Sequence, residues 1–101
     1  MGTRLELQSK LENIMESRHV YFQPPESVKM EYPAIRYFLE GVRTERADNS
    51  LYYIIDRYEL ILISKTPAMD TVRKILQLPY CSLGNPYKAD NLYHYPFTLY
   101  F

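Results

Sequence analysis

The stretch Leu51–Lys65 (LYYIIDRYELILISK) constrains what this chain can fold into more than any other part of it. Read with a period of two, it places Tyr52, Ile54, Asp56, Tyr58, Leu60 and Leu62 on one side. Tyr53, Ile55, Arg57, Glu59, Ile61 and Ile63 fall on the other. It reads as a strand, and neither side is polar throughout, so a single buried face does not account for the pattern. Extended, it spans roughly 45 Å, longer than one small sheet needs. Its first half is therefore expected to project beyond the body as a hairpin with the preceding strand.

The remaining elements are ordered around that strand. Leu7, Leu11, Ile14 and Met15 share one face of an amphipathic helix over residues 3–17. Thr3 is its N-cap, Glu6 completes a capping box, and Arg18 and His19 favour the negative end of its dipole. Val20–Gln23, stopped by Pro24-Pro25, is a short edge strand. Residues 24–33 read as an irregular connection. Ala34–Arg43 is a strand with Ile35, Tyr37 and Leu39 pointing one way, and polar Thr44–Ser50 carries an Asp48-Asn49 turn.

Thr66-Pro67 is an N-cap followed by proline at the first helical position. Met69, Val72, Ile75, Leu76 and Leu78 continue as a helical stripe that Pro79 ends. Tyr80–Leu83 is a strand, 84–91 is loop, and Tyr93–Phe101 is a final strand interrupted by Pro96. The expected fold is one α+β domain over residues 1–101, in the order α-β-β-β-α-β-β. It has a mainly antiparallel sheet with two helices packed on one face and a projecting β-hairpin.

A chain of 101 residues holds one core and has little left over for a deep catalytic cleft. Twelve Lys+Arg balance twelve Asp+Glu, which argues against a non-specific nucleic-acid binder. A lone cysteine, Cys81, excludes an intrachain disulfide or a multi-thiolate metal site, and fits a reducing compartment. No apolar run has the length of a signal peptide or membrane span, so a soluble protein without a membrane partner is expected.

Catalytic signals are weak. His19 and His94 stand in no metal-ligand spacing, and Cys81 has no base placed beside it by the sequence. Three glycines leave almost no scope for a phosphate-cradling loop. No catalytic, cofactor-binding or metal-binding residues are expected, and the chain is not read as an enzyme.

The 11 tyrosines say more. They concentrate on the long strand and in the last quarter of the chain, and they exceed what a core of this size easily hides. Tyrosine combines an apolar body with a polar tip, which suits surfaces that other soluble subunits cover. Stacking of single-stranded nucleic acid uses the same residues but calls for a basic groove.

Several strings resemble a known family. They are Val20-Tyr-Phe-Gln-Pro-Pro25, Met30-Glu-Tyr-Pro33 and Ala47-Asp-Asn49 ahead of the tyrosine-rich strand, then Ala89-Asp-Asn-Leu-Tyr-His94 and Phe97-Thr-Leu-Tyr-Phe101. From Leu11 onward the chain resembles the tail-terminator (tail-completion, or minor capsid) proteins of long-tailed, siphovirus-like bacteriophages. That resemblance implies an α/β subunit, six copies of which form a ring at the phage neck. The ring caps the tail tube below, meets the head connector or stopper protein above, and lets DNA through its lumen without specific binding. It implies a virion protein present in the host cytoplasm during assembly.

The family brings no catalytic residues and no fixed interface motif, so contact residues are assigned by local physics. Arg43, Glu45, Arg46 and Asp48 are expected on the hairpin, Arg57 and Glu59 between subunits, and Tyr53 and Tyr95 on the aromatic faces. A head-completion (stopper) protein, another minor capsid neck protein, and a small nucleic-acid-binding module remain as alternatives.

Overall fold

The computed structural model describes residues 3–25, 29–47 and 50–101. Helix α1 spans Arg4–Met15 and starts as its sequence requires. The Thr3 hydroxyl accepts from the Glu6 amide at 3.2 Å, and the Glu6 carboxylate accepts from the Thr3 amide at 3.4 Å. At the other end Glu16 adopts a left-handed conformation, φ 55°, and turns its amide back onto the Asn13 and Glu12 carbonyls. No basic residue lies in the last turn. Arg18 and His19 fall beyond it, and His19 instead pairs with Glu31 at 3.0 Å.

The sheet has six strands, β1 (Val20–Phe22), β2 (Ala34–Ala47), β3 (Ser50–Ser64), β4 (Cys81–Leu83), β5 (Tyr87–Ala89) and β6 (Leu92–Tyr100). They run in the spatial order β1-β2-β3-β6-β4, with β5 also on β6. Among the described strands, β1 alone pairs in parallel, at the edge beside β2. This is the expected α+β order, with the short strand β5 inside the expected 84–91 loop. Two positive-φ residues, Asp90 and Asn91, make the tight β5–β6 connection.

One face carries the core. Ile35 and Tyr37 of β2, Tyr58, Leu60 and Leu62 of β3, and Tyr95, Phe97 and Leu99 of β6 are buried in matching rows. Against them pack Leu7 and Leu11 of α1 with Val72 and Ile75 of helix α2 (Met69–Leu76). Each such aliphatic side chain removed from water contributes about 1.5–3 kcal/mol. A polar clasp fixes α1 to the sheet. The Tyr37 hydroxyl donates to Gln8 Oε1 at 2.5 Å, and Gln8 Nε2 donates to the Val20 carbonyl at 3.0 Å.

Two expectations need correcting here. Thr66 does not cap α2; the N-cap is Ala68, which has no capping side chain. The exposed first-turn amide region is served instead by the Tyr95 hydroxyl, which accepts from the Ala68 amide at 3.4 Å. The second correction is length: β2 continues through polar Thr44–Arg46 to Ala47, because β3 offers it a paired strand all the way to Ser50. The Asp48-Asn49 turn lies outside the described residues.

The projecting hairpin is present. β6 covers β3 only from Arg57 to Ser64, so β2 beyond Glu40 and β3 before Arg57 pair with each other alone along most of their length. The molecule measures 51 × 26 × 23 Å with a radius of gyration of 14.6 Å. A compact chain of this length has a radius of about 12.7 Å. The difference is the ribbon.

Candidate functional site

The helices cover one sheet face; the other carries a mixed set of side chains in register. Phe38 lies opposite Glu59, which lies opposite Thr98. One row further toward the ribbon, Gly41 faces Arg57, which faces Tyr100. Beyond that come Arg43 and Ile55. This face is partly exposed rather than uniformly polar, with Phe38, Ile61, Pro96 and Tyr100 all half-buried.

At the root of the ribbon these rows form a concavity. Gly41, Val42, Arg43, Arg57 and Tyr100 line a cleft of about 330 Å³. A second hollow of about 190 Å³ is lined by Arg43, Ile55, Tyr80 and Tyr100. The shared lining residues, Arg43 and Tyr100, join the two. The Arg43 guanidinium stands 6.0 Å from the Tyr100 ring centre. Gly41 has a specific use here: a Cβ at that position would sit 3.3 Å from Arg57 Nη2, so the bare backbone gives the guanidinium room to lie against the strand.

The local bulge explains how the charges meet. Between Leu39 and Gly41 the register of β2 slips by one, leaving Glu40 extra and unpaired. Its carboxylate lies 3.6 Å from Arg57 Nε. It also hydrogen-bonds the Glu59 carboxyl, which, with partial burial and repulsion from Glu40, raises the Glu59 pKa above its ordinary value. Two acids thus flank one side of Arg57, and the cleft opens on the other.

Tyr80 stands at the rim with 78 % of its surface exposed, the most exposed large apolar-bodied residue of the described chain. Its backbone is left-handed, φ 55°, a costly conformation for a β-carbon-bearing residue. Its carbonyl accepts from the Tyr100 amide at 3.2 Å, which holds the loop against β6. The strained turn therefore leaves a large aromatic ring in solvent beside Arg43. That combination, aromatic and arginine around a hollow, is typical of the energetic centres of protein interfaces.

The residues chosen from sequence are only partly gathered here. Arg43 and Arg57 line the cleft, and Glu59 borders it through Glu40. Arg46 is exposed further out on the ribbon. The side chains of Glu45 and Tyr53, and the whole of Asp48, fall outside the description. Tyr95 is a correction: it is only 5 % exposed and belongs to the core, because it shares the helix-facing side of β6 with Phe97 and Leu99. Tyr37 and Tyr58 are likewise buried, so part of the tyrosine excess is core.

Glu40, Gly41, Tyr80 and Tyr100 were missed. Gly41 inside a strand was the available signal, since glycine there marks a bulge or a close approach.

The other reactive groups are occupied. Burial pushes the Cys81 thiol up to about 11, which keeps it protonated and poorly nucleophilic at neutral pH. The His94 ring stacks on Tyr87 at 4.7 Å, and its Nδ1 lies 3.0 Å from the Leu92 carbonyl. Among the described residues, no helix is long and apolar enough to cross a membrane. No protein-family model matches the chain, and no curated protein matches it.

Proposed function

We propose that the chain is a structural virion protein of the phage neck, a tail terminator whose copies form a ring that caps the tail tube and joins it to the head connector. The observation that carries this reading is the ribbon, two open-edged strands with exposed Val42 and Ile54 that extend past the sheet. A two-stranded ribbon alone in water is marginal and its edges invite pairing, so a covering partner is the natural completion.

A ring needs two different complementary patches on each subunit. The ribbon with its root cleft, and the helix-covered side of the sheet, are two such patches. The sequence resemblance supplies the neck location and the six-fold count. The tail-tube protein below and the connector or stopper above are the partners, and DNA passes the lumen unbound. The protein acts without a cofactor and catalyses no reaction.

Light scattering on the purified protein, alone and mixed with purified tail tubes, tests this. A six-copy ring, free or seated on tube ends in negative-stain images, is expected. A strictly monomeric species at high concentration that also leaves tube ends bare overturns it. A protein that binds the connector and ignores the tube is a stopper instead.

A further inference from the structure

We propose that the cleft at the root of the ribbon receives the first turn of α2 from a second copy of this chain, with Asp70 meeting Arg57 and Met69 resting on Tyr80. This deepens the ring reading and rests on it. The acceptor side is concave, cationic and aromatic: Arg43 and Arg57 supply two guanidinium groups, with Tyr80 and Tyr100 as walls. Arg57 keeps 45 % of its side chain exposed and pairs through Nε with Glu40 at 3.6 Å. The guanidinium lies against the bare Gly41 backbone and lines the cleft, and its planar fork is the shape that carboxylates match.

The donor side must be an exposed acid next to an exposed apolar residue on a rigid element. The first turn of α2 provides both. The Asp70 side chain is 97 % exposed, with an intrahelical contact to Arg73 at 3.7 Å, and its neighbour Met69 is 44 % exposed. Methionine packs well against aromatic rings.

The two patches do not overlap. The Tyr95 hydroxyl holds the start of α2, and Tyr95 lies five residues along β6 from Tyr100, about 17 Å away. The donor sits on the helix side of the sheet and the acceptor on the opposite side. One copy can therefore give and receive at once, which is the head-to-tail geometry a closed ring requires.

Nucleic acid is the less favoured occupant of the same cleft. A nucleic-acid strand brings a run of phosphates and needs several unopposed cations, whereas Glu40 and Glu59 already offset the charge of Arg57 and a single carboxylate needs only one guanidinium.

A charge swap tests the pairing. Arg57→Asp and Asp70→Arg are each expected to weaken assembly about ten-fold or more, read by light scattering alone and on tail tubes. The double variant Arg57→Asp/Asp70→Arg is expected to recover most of that loss. Circular dichroism confirms that each variant folds, and Tyr80→Ala gives an independent reading through the apolar half of the contact.

Rings that form equally well in both single variants overturn the pairing while leaving the ring intact. Single variants that weaken assembly without rescue in the double overturn it too. A wild type that never assembles defeats the ring reading itself, and the pairing with it. If Arg57→Asp instead lowers binding of a single-stranded oligonucleotide and leaves assembly untouched, the cleft is a nucleic-acid contact and the proposal falls.

Discussion

The same two strands, β2 and β3, build both halves of this molecule and behave differently in each. In the body, Ile35 and Tyr37 beside Leu62 and Leu60 are sealed under two helices, with β6 completing the row. Past the bulge at Glu40 the alternation continues, yet Val42 is 55 % exposed and Ile54 is 40 % exposed. Nothing in the local sequence of β3 announces the change. What changes is the company: a third strand and a helix layer in one place, solvent in the other. A strand pattern specifies which residues share a side, and only the neighbouring elements decide whether that side is inside.

The largest effect should therefore come from deleting core atoms in the body half. Leu60→Ala, with Leu11→Ala and Ile75→Ala as companions from the helices, is expected to cost about 2–5 kcal/mol in urea unfolding. All three are fully buried. A loss under about 1 kcal/mol at Leu60 would erase the distinction between the halves, since surface changes fall in that range.

Next in size is the clasp between α1 and the sheet. Tyr37→Phe removes the donor to Gln8 Oε1 and the acceptor for Arg4 Nη1 at 3.3 Å. The expected cost is about 1–3 kcal/mol, because a partly buried amide oxygen is left unsatisfied. The same hydroxyl titrates above its ordinary value, chiefly through burial. Charging it in the folded state is disfavoured, so stability is retained below pH 10 and declines above it. In Tyr37→Phe that alkaline decline should shrink; an unchanged alkaline limb would place the loss elsewhere.

How much of this was legible beforehand follows the same division. Elements fixed by near neighbours in sequence were readable: the Thr3–Glu6 box, the edge strand stopped by Pro24-Pro25, and the long β3. Features fixed by distant residues were not. Thr66-Pro67 looked like a cap, yet the helix starts at Met69, where the Tyr95 hydroxyl from another strand serves its N-cap. Leu39 shares the alternation of Ile35 and Tyr37 and is nonetheless exposed, because it lies beside the bulge where the core ends. Of the candidate site, Arg57 and Glu59 could be named from sequence because the two-residue period of β3 puts them on one side, and Arg43 because it stands where the apolar part of β2 gives way to charge. Tyr80 and Tyr100 were visible only as members of an aromatic excess, since their position depends on β4 and β6 pairing.

At the boundary between the halves sits the Glu40–Glu59 pair, where the effect changes sign. Glu59→Gln replaces one of two hydrogen-bonded acids with an amide that can donate to Glu40, and should stabilise the protein by about 0.5–1.5 kcal/mol at neutral pH. The folded-state pKa of Glu59 lies above its unfolded value. Its contribution is therefore fully present below the unfolded pKa and is lost as pH rises through the raised folded one. Wild type should gain on mild acidification through this pair, and Glu59→Gln should lack that gain. Parallel profiles for the two proteins would mean that Arg57 alone already neutralises the site.

The smallest expected effect is the sharpest test of the comparison. Val42→Thr and Ile54→Thr keep the β-branched shape that suits a strand and change only the apolar character of two exposed side chains. In the isolated chain each should shift unfolding free energy by no more than about 0.5 kcal/mol. If the ribbon is a surface awaiting a partner, assembly should suffer far more than folding, because apolar area that stays wet in the monomer is buried only in the complex. Equal small losses in both measurements would mean the ribbon stays exposed in the assembled state. A large loss in monomer stability would mean that Val42 and Ile54 already pack within the chain, and that the body and the ribbon are one continuous core.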